Sequence, residues 1–370
     1  MSTPTDLHFP FSAIEGQAAL QQALLLLAVD PQLGGVLVEG PRGTAKSTSA
    51  RALAELLPSG HFVNLPLGTT EEQLQGALDL EAALQSSAVQ FRPGLLAQAH
   101  QGILYVDEVN LLPDGLVDLL LDVSASGTNR IERDGVSHQH AARIALIGTM
   151  NPEEGQLRPQ LLDRFGLFVR LPNVPDVDTR KRIVRTRMAF DADPAQFCAQ
   201  QAEAQAQLRA QIAAARTQLP QVVWPDAVFD AVAQLCQQSG AEGVRADLVM
   251  LRAARAQAAL AGHDQVNLAD VQAVAELALA HRRSADAAQP PSPTGQANDP
   301  NDQPAQQQPQ PQPQPQRQQP NQAPASNTEA ASSSNNAHHS QPDGWGGMAA
   351  PRHTGIEPVK ALRPFIAKKA

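Results

Sequence analysis

A glycine-rich loop is the segment whose residue types and spacing most clearly predict chemistry. Residues 40–47 read Gly-Pro-Arg-Gly-Thr-Ala-Lys-Ser, between an apolar segment and a helical pattern. Such a loop presents backbone N–H groups and the positive end of a helix dipole to phosphates. The spacing predicts that Lys46 contacts the β- and γ-phosphates of ATP and that Ser47 gives a hydroxyl to Mg²⁺. Ala45 replaces the second signature glycine, so its Cβ should lie close to a phosphate. The residues predicted to bind the nucleotide are Gly40, Pro41, Arg42, Gly43, Thr44, Ala45, Lys46 and Ser47.

Two acids follow an apolar segment further along the chain. Residues 103–108 read Ile-Leu-Tyr-Val-Asp-Glu. Asp107, at the tip of a strand beside the phosphate loop, can hold Mg²⁺ opposite the phosphates. Glu108 then lies where it can polarise water for attack on the γ-phosphate. Acids are common at strand ends, but together with the loop they predict ATP hydrolysis, with Ser47 and Asp107 as the metal ligands.

Three further residues are candidates for the same reaction. Asn151 follows an apolar segment and could position the attacking water, although an Asn before Pro152 commonly only turns the chain. Arg164 is the candidate arginine finger, a group often supplied by a neighbouring subunit, and ordinary surface ion pairing is the competing explanation. Arg245 opens a helix in a second domain and could reach back to the same nucleotide, so that closure of that domain would depend on ATP.

The elements that position these residues alternate between apolar β-branched segments and helical patterns. This alternation predicts an α/β domain with a mainly parallel sheet. The pair Asp134-Gly135 favours a two-residue turn and predicts a β-hairpin over 129–140. Strands are expected at 35–39, 61–65, 102–106, 144–149 and 167–171, with helices at 17–29, 48–57 and 114–125.

The second half of the sequence divides into three regions of different composition. Residues 176–284 lose the β pattern and predict an all-α domain, after a nucleotide-binding domain over 1–175. Residues 285–345 are rich in Pro and Gln and predict a disordered linker. Residues 346–370 are basic with some apolar side chains, typical of either a docking peptide or a frayed terminus. Helices are expected at 180–189, 194–216, 225–238, 244–261 and 268–281, with a partial capping box at 267–270.

Composition excludes several classes of protein. A net charge of −9 argues against binding nucleic acid through bulk electrostatics. The two cysteines form no disulfide framework, which indicates a reducing compartment. The longest apolar run, 23–29, is too short to span a bilayer, and the first residues lack a signal-peptide pattern. We therefore expect a cytoplasmic protein with neither nucleic-acid nor membrane partners.

With these motifs together, the sequence resembles the AAA+ subunits of magnesium and cobalt chelatases, which are related to MoxR-like ATPases. The resemblance covers residues 8–284 and implies an AAA+ P-loop NTPase core with an all-α lid domain. It implies ATP and Mg²⁺ as cofactors, with Asp107 and Glu108 as the Walker B pair and Asn151 as first sensor. It also implies Arg164 as an arginine finger acting in trans within a hexameric ring, and Arg245 as second sensor. The segments that carry it are 40–47, 105–112, 150–155, 157–166 and 243–247.

The resemblance leaves the subunit type and the function open between alternatives. With alanine at position 45, the loop resembles that of the D-type chelatase subunit and of MoxR-like relatives. We therefore expect an I-type motor or a D-type subunit without its integrin-like domain. The implied function is to drive Mg²⁺ or Co²⁺ insertion into a tetrapyrrole, with an integrin-like-domain partner and a large porphyrin-binding subunit. The alternative is a MoxR-like chaperone ATPase that remodels a partner carrying an integrin-like (von Willebrand factor A) domain.

Overall fold

A computed structural model of the chain describes residues 7–79, 90–133, 136–172 and 176–283. The predicted linker at 285–345 and the predicted basic tail at 346–370 lie outside these residues, as does the Asp134-Gly135 turn. The division into domains at residues 175 and 284 stays a prediction.

The strands of the described residues form one parallel sheet and two antiparallel hairpins. In chain order they are β1 (Val36–Glu39), β2 (Phe62–Leu65), β3 (Gly76–Asp79), β4 (Gln90–Pro93), β5 (Ile103–Val106), β6 (Thr128–Arg133), β7 (Val136–Ala141), β8 (Ala145–Met150) and β9 (Leu167–Arg170).

The parallel sheet has the order β2-β5-β8-β1-β9. Its five strands are the five that the sequence predicts, and each lies within one or two residues of the expected bounds. β1, β5 and β8 are buried at every position, because both faces of the sheet are covered. The predicted hairpin is confirmed by the antiparallel pairing of β6 with β7, whereas the β3–β4 hairpin was not predicted.

The helices divide between the flanks of the sheet and a helical lid. Those around the sheet are α1 (Ala18–Val29), α2 (Lys46–Ala54), α3 (Glu71–Gln75), α4 (Leu95–Gln98), α5 (Asp114–Ser126) and α6 (Pro159–Arg164). The lid consists of α7 (Val177–Ala192), α8 (Pro194–Gln218), α9 (Asp226–Ser239), α10 (Arg245–Ala261) and α11 (Leu268–Leu279). None of these helices is long and apolar enough to cross a membrane.

Alternating side chains of each strand enter two separate hydrophobic clusters. Val36 and Val38 of β1 belong to the cluster that contains α1 and α2, while Leu37 belongs to the cluster that contains α5. The lid helices α8 to α11 share the α1 cluster, which includes Ile212 of α8 and Met250 of α10. The lid is therefore packed on the same hydrophobic core as the helix that covers β1.

The start of α11 has a complete capping box, where the sequence predicted only a partial one. Asn267 Oδ1 accepts from the N–H of Asp270, and Asp270 Oδ2 accepts from the N–H of Asn267, both at 3.0 Å. The aspartate at the third position is buried, and its short side chain still reaches the backbone.

Candidate functional site

The glycine-rich loop connects the buried strand β1 to α2, as the sequence predicts. Gly40 must be glycine here, because a Cβ would lie 2.8 Å from Cβ of Leu171. Gly43 has φ +79° and open space around its Cα, so the loop passes it without side-chain contact. Lys46 begins α2, which directs the N-terminus of that helix at the loop.

Ala45 adopts the left-handed conformation, with φ 57° and ψ 27°, immediately before α2. This conformation costs an L-residue roughly 1–2 kcal/mol and glycine almost nothing. The alanine thus places a strained backbone, in addition to a Cβ, in the loop that the sequence predicts to hold phosphates.

The Lys46 ammonium is held by backbone carbonyls. Its Nζ donates to the carbonyl of Gly40 at 2.6 Å and approaches that of Met150 at 3.5 Å. Partial burial lowers the pKa of Lys46, and the nearby carboxylates of Asp107 and Glu108 oppose that shift. A cation held on neutral carbonyls can be redirected to an anion without breaking an ion pair.

The Asp107 carboxylate is oriented by two hydroxyl groups. Its Oδ1 accepts from Thr149 Oγ1 at 2.6 Å and from the Tyr105 hydroxyl at 3.1 Å. Burial raises the pKa of Tyr105, so its phenol stays protonated as a donor. Neither partner was singled out from the sequence, although both lie on strands next to each other, β5 and β8.

Glu108 belongs to a group of charges that includes a residue the sequence analysis missed. Arg42 ion-pairs with Glu154 and lies 3.6 Å from Glu108 Oε1. Glu108 and Glu154 share a hydrogen bond, which together with burial raises the pKa of Glu108. Asn151 is buried, accepts from the N–H of Glu153 at 3.3 Å and also contacts Glu154. Glu154 lies in the segment Met-Asn-Pro-Glu-Glu-Gly, and this position was the only signal that could have identified it.

Residues 42–48, Asp107, Glu108 and Asn151 line one cavity of about 590 Å³. The wall opposite the loop comes from the N-terminal segment and α7, which sequence reasoning did not place there. Glu15 connects the two, since its carboxylate accepts from Thr186 Oγ1 at 2.9 Å and from Arg182 Nε at 3.0 Å. The lining comprises Phe9, Ala13, Ile14, Glu15, Gln17, residues 42–48, Tyr105, Asp107, Glu108, Asn151, Ile183, Thr186 and Arg187.

Among the described residues that line this cavity, neither Arg164 nor Arg245 is present. Arg164 ion-pairs with Asp118 and Asp122 on α5. Arg245 Nη1 lies 2.9 Å from Asp163 Oδ2, and Arg245 is not among the described residues that line the cavity, so its contact with a nucleotide stays a prediction. The ion pair forms because α10 begins beside the end of α6.

Asp163 also pairs with a lid arginine that the sequence analysis did not identify. Arg282 Nε lies 3.0 Å from Asp163 Oδ1. We call Asp163, Arg164, Arg245 and Arg282 the Asp163 cluster.

Two family models match the chain in the order that the fold requires. The AAA domain of the dynein-related subfamily matches residues 35–165, which contain the glycine-rich loop, Asp107 and Arg164. The AAA lid domain matches residues 230–306, which contain Arg245.

Curated relatives match most of the described residues. The uncharacterised protein Rv2850c of Mycobacterium tuberculosis is 52% identical over 284 residues, which are 75% of this chain and 45% of the relative. This chain thus spans less than half of the length of that protein. The magnesium-chelatase 38 kDa subunit of Cereibacter sphaeroides is 48% identical over 306 residues, covering 74% of this chain and 92% of the subunit.

A solved structure from Cytophaga hutchinsonii has the same fold. The two sequences are 19% identical, and the superposition covers 75% of this chain and 86% of the Cytophaga chain with a TM-score of 0.54. The identity over nearly the full length of the Cereibacter protein is what decides the family: this chain belongs to the AAA+ ATPases of the magnesium-chelatase 38 kDa subunit family.

Proposed function

We propose that this chain is the ATP-hydrolysing motor of a magnesium chelatase and drives the insertion of Mg²⁺ into a tetrapyrrole. The observation that carries the proposal is the convergence of Lys46, Asp107 and Glu108 on one cavity in a member of this family. Mg²⁺ has two parts in this proposal: one ion accompanies ATP, and another is the substrate that the chelatase inserts.

The residues present fit ATP with its Mg²⁺ ion. The loop offers its backbone N–H groups, Gly43 leaves open space, and carbonyl oxygens hold Lys46. Ser47 and Asp107 are hard oxygen ligands of the kind that Mg²⁺ prefers. When bound, the ion would neutralise charge on the phosphates of ATP.

The remaining side chains would act on the attacking water. Glu108 would accept its proton at the carboxylate, and Asn151 would orient the water through its amide. Thr149 donates to Asp107 and accepts from the N–H of Glu108, so one hydroxyl fixes both acids relative to each other.

A ring of subunits, proposed to be a hexamer, would complete this site. Arg164 and Arg245 lie together beside Asp163 and away from the cavity of their own chain. Presenting them to the cavity of the next subunit gives both arginines a phosphate to contact. A neighbour therefore supplies the finger in this proposal.

The proposal includes separate partner chains. The Cereibacter relative is named as a subunit, which supports assembly with other chains. We propose an integrin-like-domain subunit and a large porphyrin-binding subunit, acting in the cytoplasm. Cobalt insertion, or remodelling of an integrin-like-domain protein as a MoxR-like chaperone, are the alternatives that the experiments below separate.

Hydrolysis is tested with Glu108→Gln. We expect kcat for ATP to fall at least about a hundredfold while ATP still binds, because the variant loses the general base and keeps the phosphate-binding loop. Glu203→Gln, on the exposed surface of α8, is the matched control. Undiminished turnover in Glu108→Gln would refute the assignment of the base.

The substrate metal is tested by reconstitution. The chain is combined with the large and integrin-like subunits of a magnesium chelatase, ATP and a porphyrin, and the metalloporphyrin spectrum is followed with Mg²⁺ or Co²⁺. ATP-dependent formation of the magnesium porphyrin supports the proposal, whereas formation of the cobalt product alone supports cobalt insertion. ATPase activity without either product supports the chaperone.

The trans finger is tested by mixing Arg164→Ala subunits with wild-type subunits. We expect activity to fall more steeply than the wild-type fraction, because each altered subunit also disables the cavity of its neighbour. Activity proportional to the wild-type fraction would exclude a finger acting in trans.

A further inference from the structure

Arg282, just after α11, is a buried cation whose contacts all lead to one short segment or to its own helix. Its side chain is only 2% exposed. NH2 donates to the carbonyls of Asp163 and Phe165, both at 2.6 Å, and NH1 donates to those of Gly166 and Ala278. Nε donates to the Asp163 carboxylate at 3.0 Å.

A guanidinium suits this position because its donors are fixed in one plane. Five N–H groups in a rigid fork can satisfy several carbonyls at once, which a lysine ammonium on a flexible stem does not reproduce. A buried cation of this kind persists only where its hydrogen bonds are complete. The contacts of Arg282 therefore fix the backbone of residues 163–166.

The fixed segment carries Arg164. On its other side, the N–H of Gly166 donates to the carbonyl of Gly34 at 3.2 Å. A Cβ on Gly166 would lie 1.7 Å from the carbonyl oxygen of Leu33, so the segment is seated directly on the loop before β1. Arg164 thus projects from a backbone held between the sheet domain and the lid.

The same lid also lines the nucleotide cavity. Ile183, Thr186 and Arg187 of α7 belong to its wall. The lid helices α8, α10 and α11 share one hydrophobic cluster, and α7 packs on α8 through Phe190 and Phe197, so packed side chains connect α7 to α11. A nucleotide that moves α7 would therefore also move α11, and Arg282 follows just after that helix.

We propose that Arg282 is a positioning residue for the arginine finger: it fixes residues 163–166 to the lid and so aligns Arg164 with the cavity of the neighbouring subunit. The inference rests on the proposed function, since it needs Arg164 to act in trans. The inference gives the lid two roles. It lines the nucleotide cavity of its own chain, and it positions Arg164, which acts on the nucleotide of the neighbouring subunit.

A double-mutant cycle tests this proposal in the full-length protein. The variants are Arg282→Gln, Arg164→Ala and the double variant, and kcat and KM for ATP are measured for each. We expect Arg282→Gln to lower kcat about tenfold, since a misplaced catalytic group loses most of its effect, with KM within about twofold of wild type. Because Arg282 acts through Arg164, the double variant should have the kcat of Arg164→Ala alone.

The controls separate positioning from folding. Arg283→Gln alters the adjacent arginine, which is exposed and pairs with Glu276, and should leave kcat unchanged. Arg282→Lys keeps the charge but not the fork and should recover only part of the activity. If Arg282→Gln melts below the assay temperature, Arg282→Lys is taken through the same cycle.

Each outcome decides the matter. Equal kcat values for the double variant and Arg164→Ala support the positioning role. A further tenfold loss in the double variant, or full activity of Arg282→Gln, would overturn it. If Arg164→Ala itself keeps wild-type kcat, the trans finger of the proposed function fails, and the inference fails with it for that separate and identifiable reason.

Discussion

The nucleotide cavity and the Asp163 cluster both gather charged residues, but they hold them in opposite ways. In the cavity, Lys46 is held on carbonyl oxygens and Asp107 on hydroxyl groups, so these charges keep neutral partners. In the cluster, Arg245 and Arg282 are both paired with the Asp163 carboxylate.

The kind of partner that each charge has determines how the two regions can act. Charges with neutral partners can turn to a ligand at little electrostatic cost, whereas paired charges must first exchange one carboxylate for another anion. In the proposed function, the cavity would receive ATP, and the cluster would respond when another subunit presents a phosphate.

The largest effect is expected from Lys46→Ala, which removes the one P-loop cation that rests on neutral carbonyls. ATP binding should weaken and ATPase activity should fall more than about a hundredfold, because the phosphates lose a desolvated positive partner. Titration with a fluorescent ATP analogue and a steady-state ATPase assay measure the two losses. Lys181→Ala, on the exposed part of α7, should change neither. Near-normal binding in Lys46→Ala would show that the cavity does not depend on that charge.

A smaller effect is expected from Glu154→Gln, because Glu154 pairs with the arginine of the glycine-rich loop, Arg42. Loss of this carboxylate frees Arg42, which is already 3.6 Å from Glu108 and would then neutralise the proposed base. We expect kcat to fall about tenfold with little change in KM, because the general base weakens while the phosphate loop stays intact. Glu153→Gln, at the adjacent exposed position, is the control in the same ATPase assay. Equal kcat values for the two variants would remove Glu154 from the site.

The sequence predicted the cavity better than the cluster because the two are built from different kinds of contact. Asp107 and Asn151 each follow the carboxyl end of a parallel strand, and the loop that leads to Lys46 follows β1; such ends meet at one edge of a sheet. Alternating apolar segments predicted those strands, so the meeting of the three residues followed. Thr149 and Tyr105 were missed because a hydroxyl at a strand end has many ordinary roles.

The cluster depends on contacts between residues far apart in the chain. Asp163 pairs with Arg245 and Arg282, which follow it by 82 and 119 residues. No periodicity within a helix specifies which acid a distant arginine contacts. The sequence predicted that Arg245 reaches the nucleotide, which stays a prediction, and it gave no sign of the ion pair between Arg245 and Asp163. The wall formed by α7 was missed for the same reason.

The next prediction concerns acid sensitivity on the cluster side. His281 lies beside Arg282, its Nε2 is 3.1 Å from the carbonyl of Phe165, and burial lowers its pKa to about 3. Below pH 6.5 the unfolded chain binds a proton at this residue and the folded chain does not, so stability falls as the pH decreases. From pH 7.5 to 5.5 the loss should be about 1.4 kcal/mol.

His281→Gln keeps an N–H donor and cannot titrate. Urea unfolding at pH 7.5 and 5.5 should therefore show a smaller loss of stability for this variant than for the wild type, by about the same 1.4 kcal/mol. His61→Gln, at an exposed position just before β2, controls for the removal of any histidine. Parallel pH profiles of wild type and His281→Gln would mean that the histidine is not held neutral beside the cluster.

The smallest effect is expected from Ala45→Gly, which restores the glycine that the loop conformation favours. Glycine removes the strain of φ 57° but adds freedom to the unfolded chain, so the two terms partly cancel. We expect a net stabilisation of about 0.5–1 kcal/mol, measured by urea unfolding without nucleotide. Ala206→Gly, at an exposed position inside α8, is the matched control and should destabilise by about 1 kcal/mol, because there the alanine is helical. Destabilisation by both variants would mean that the backbone of Ala45 is not strained. The cavity and the cluster would then differ in how their charges are paired and not in backbone strain.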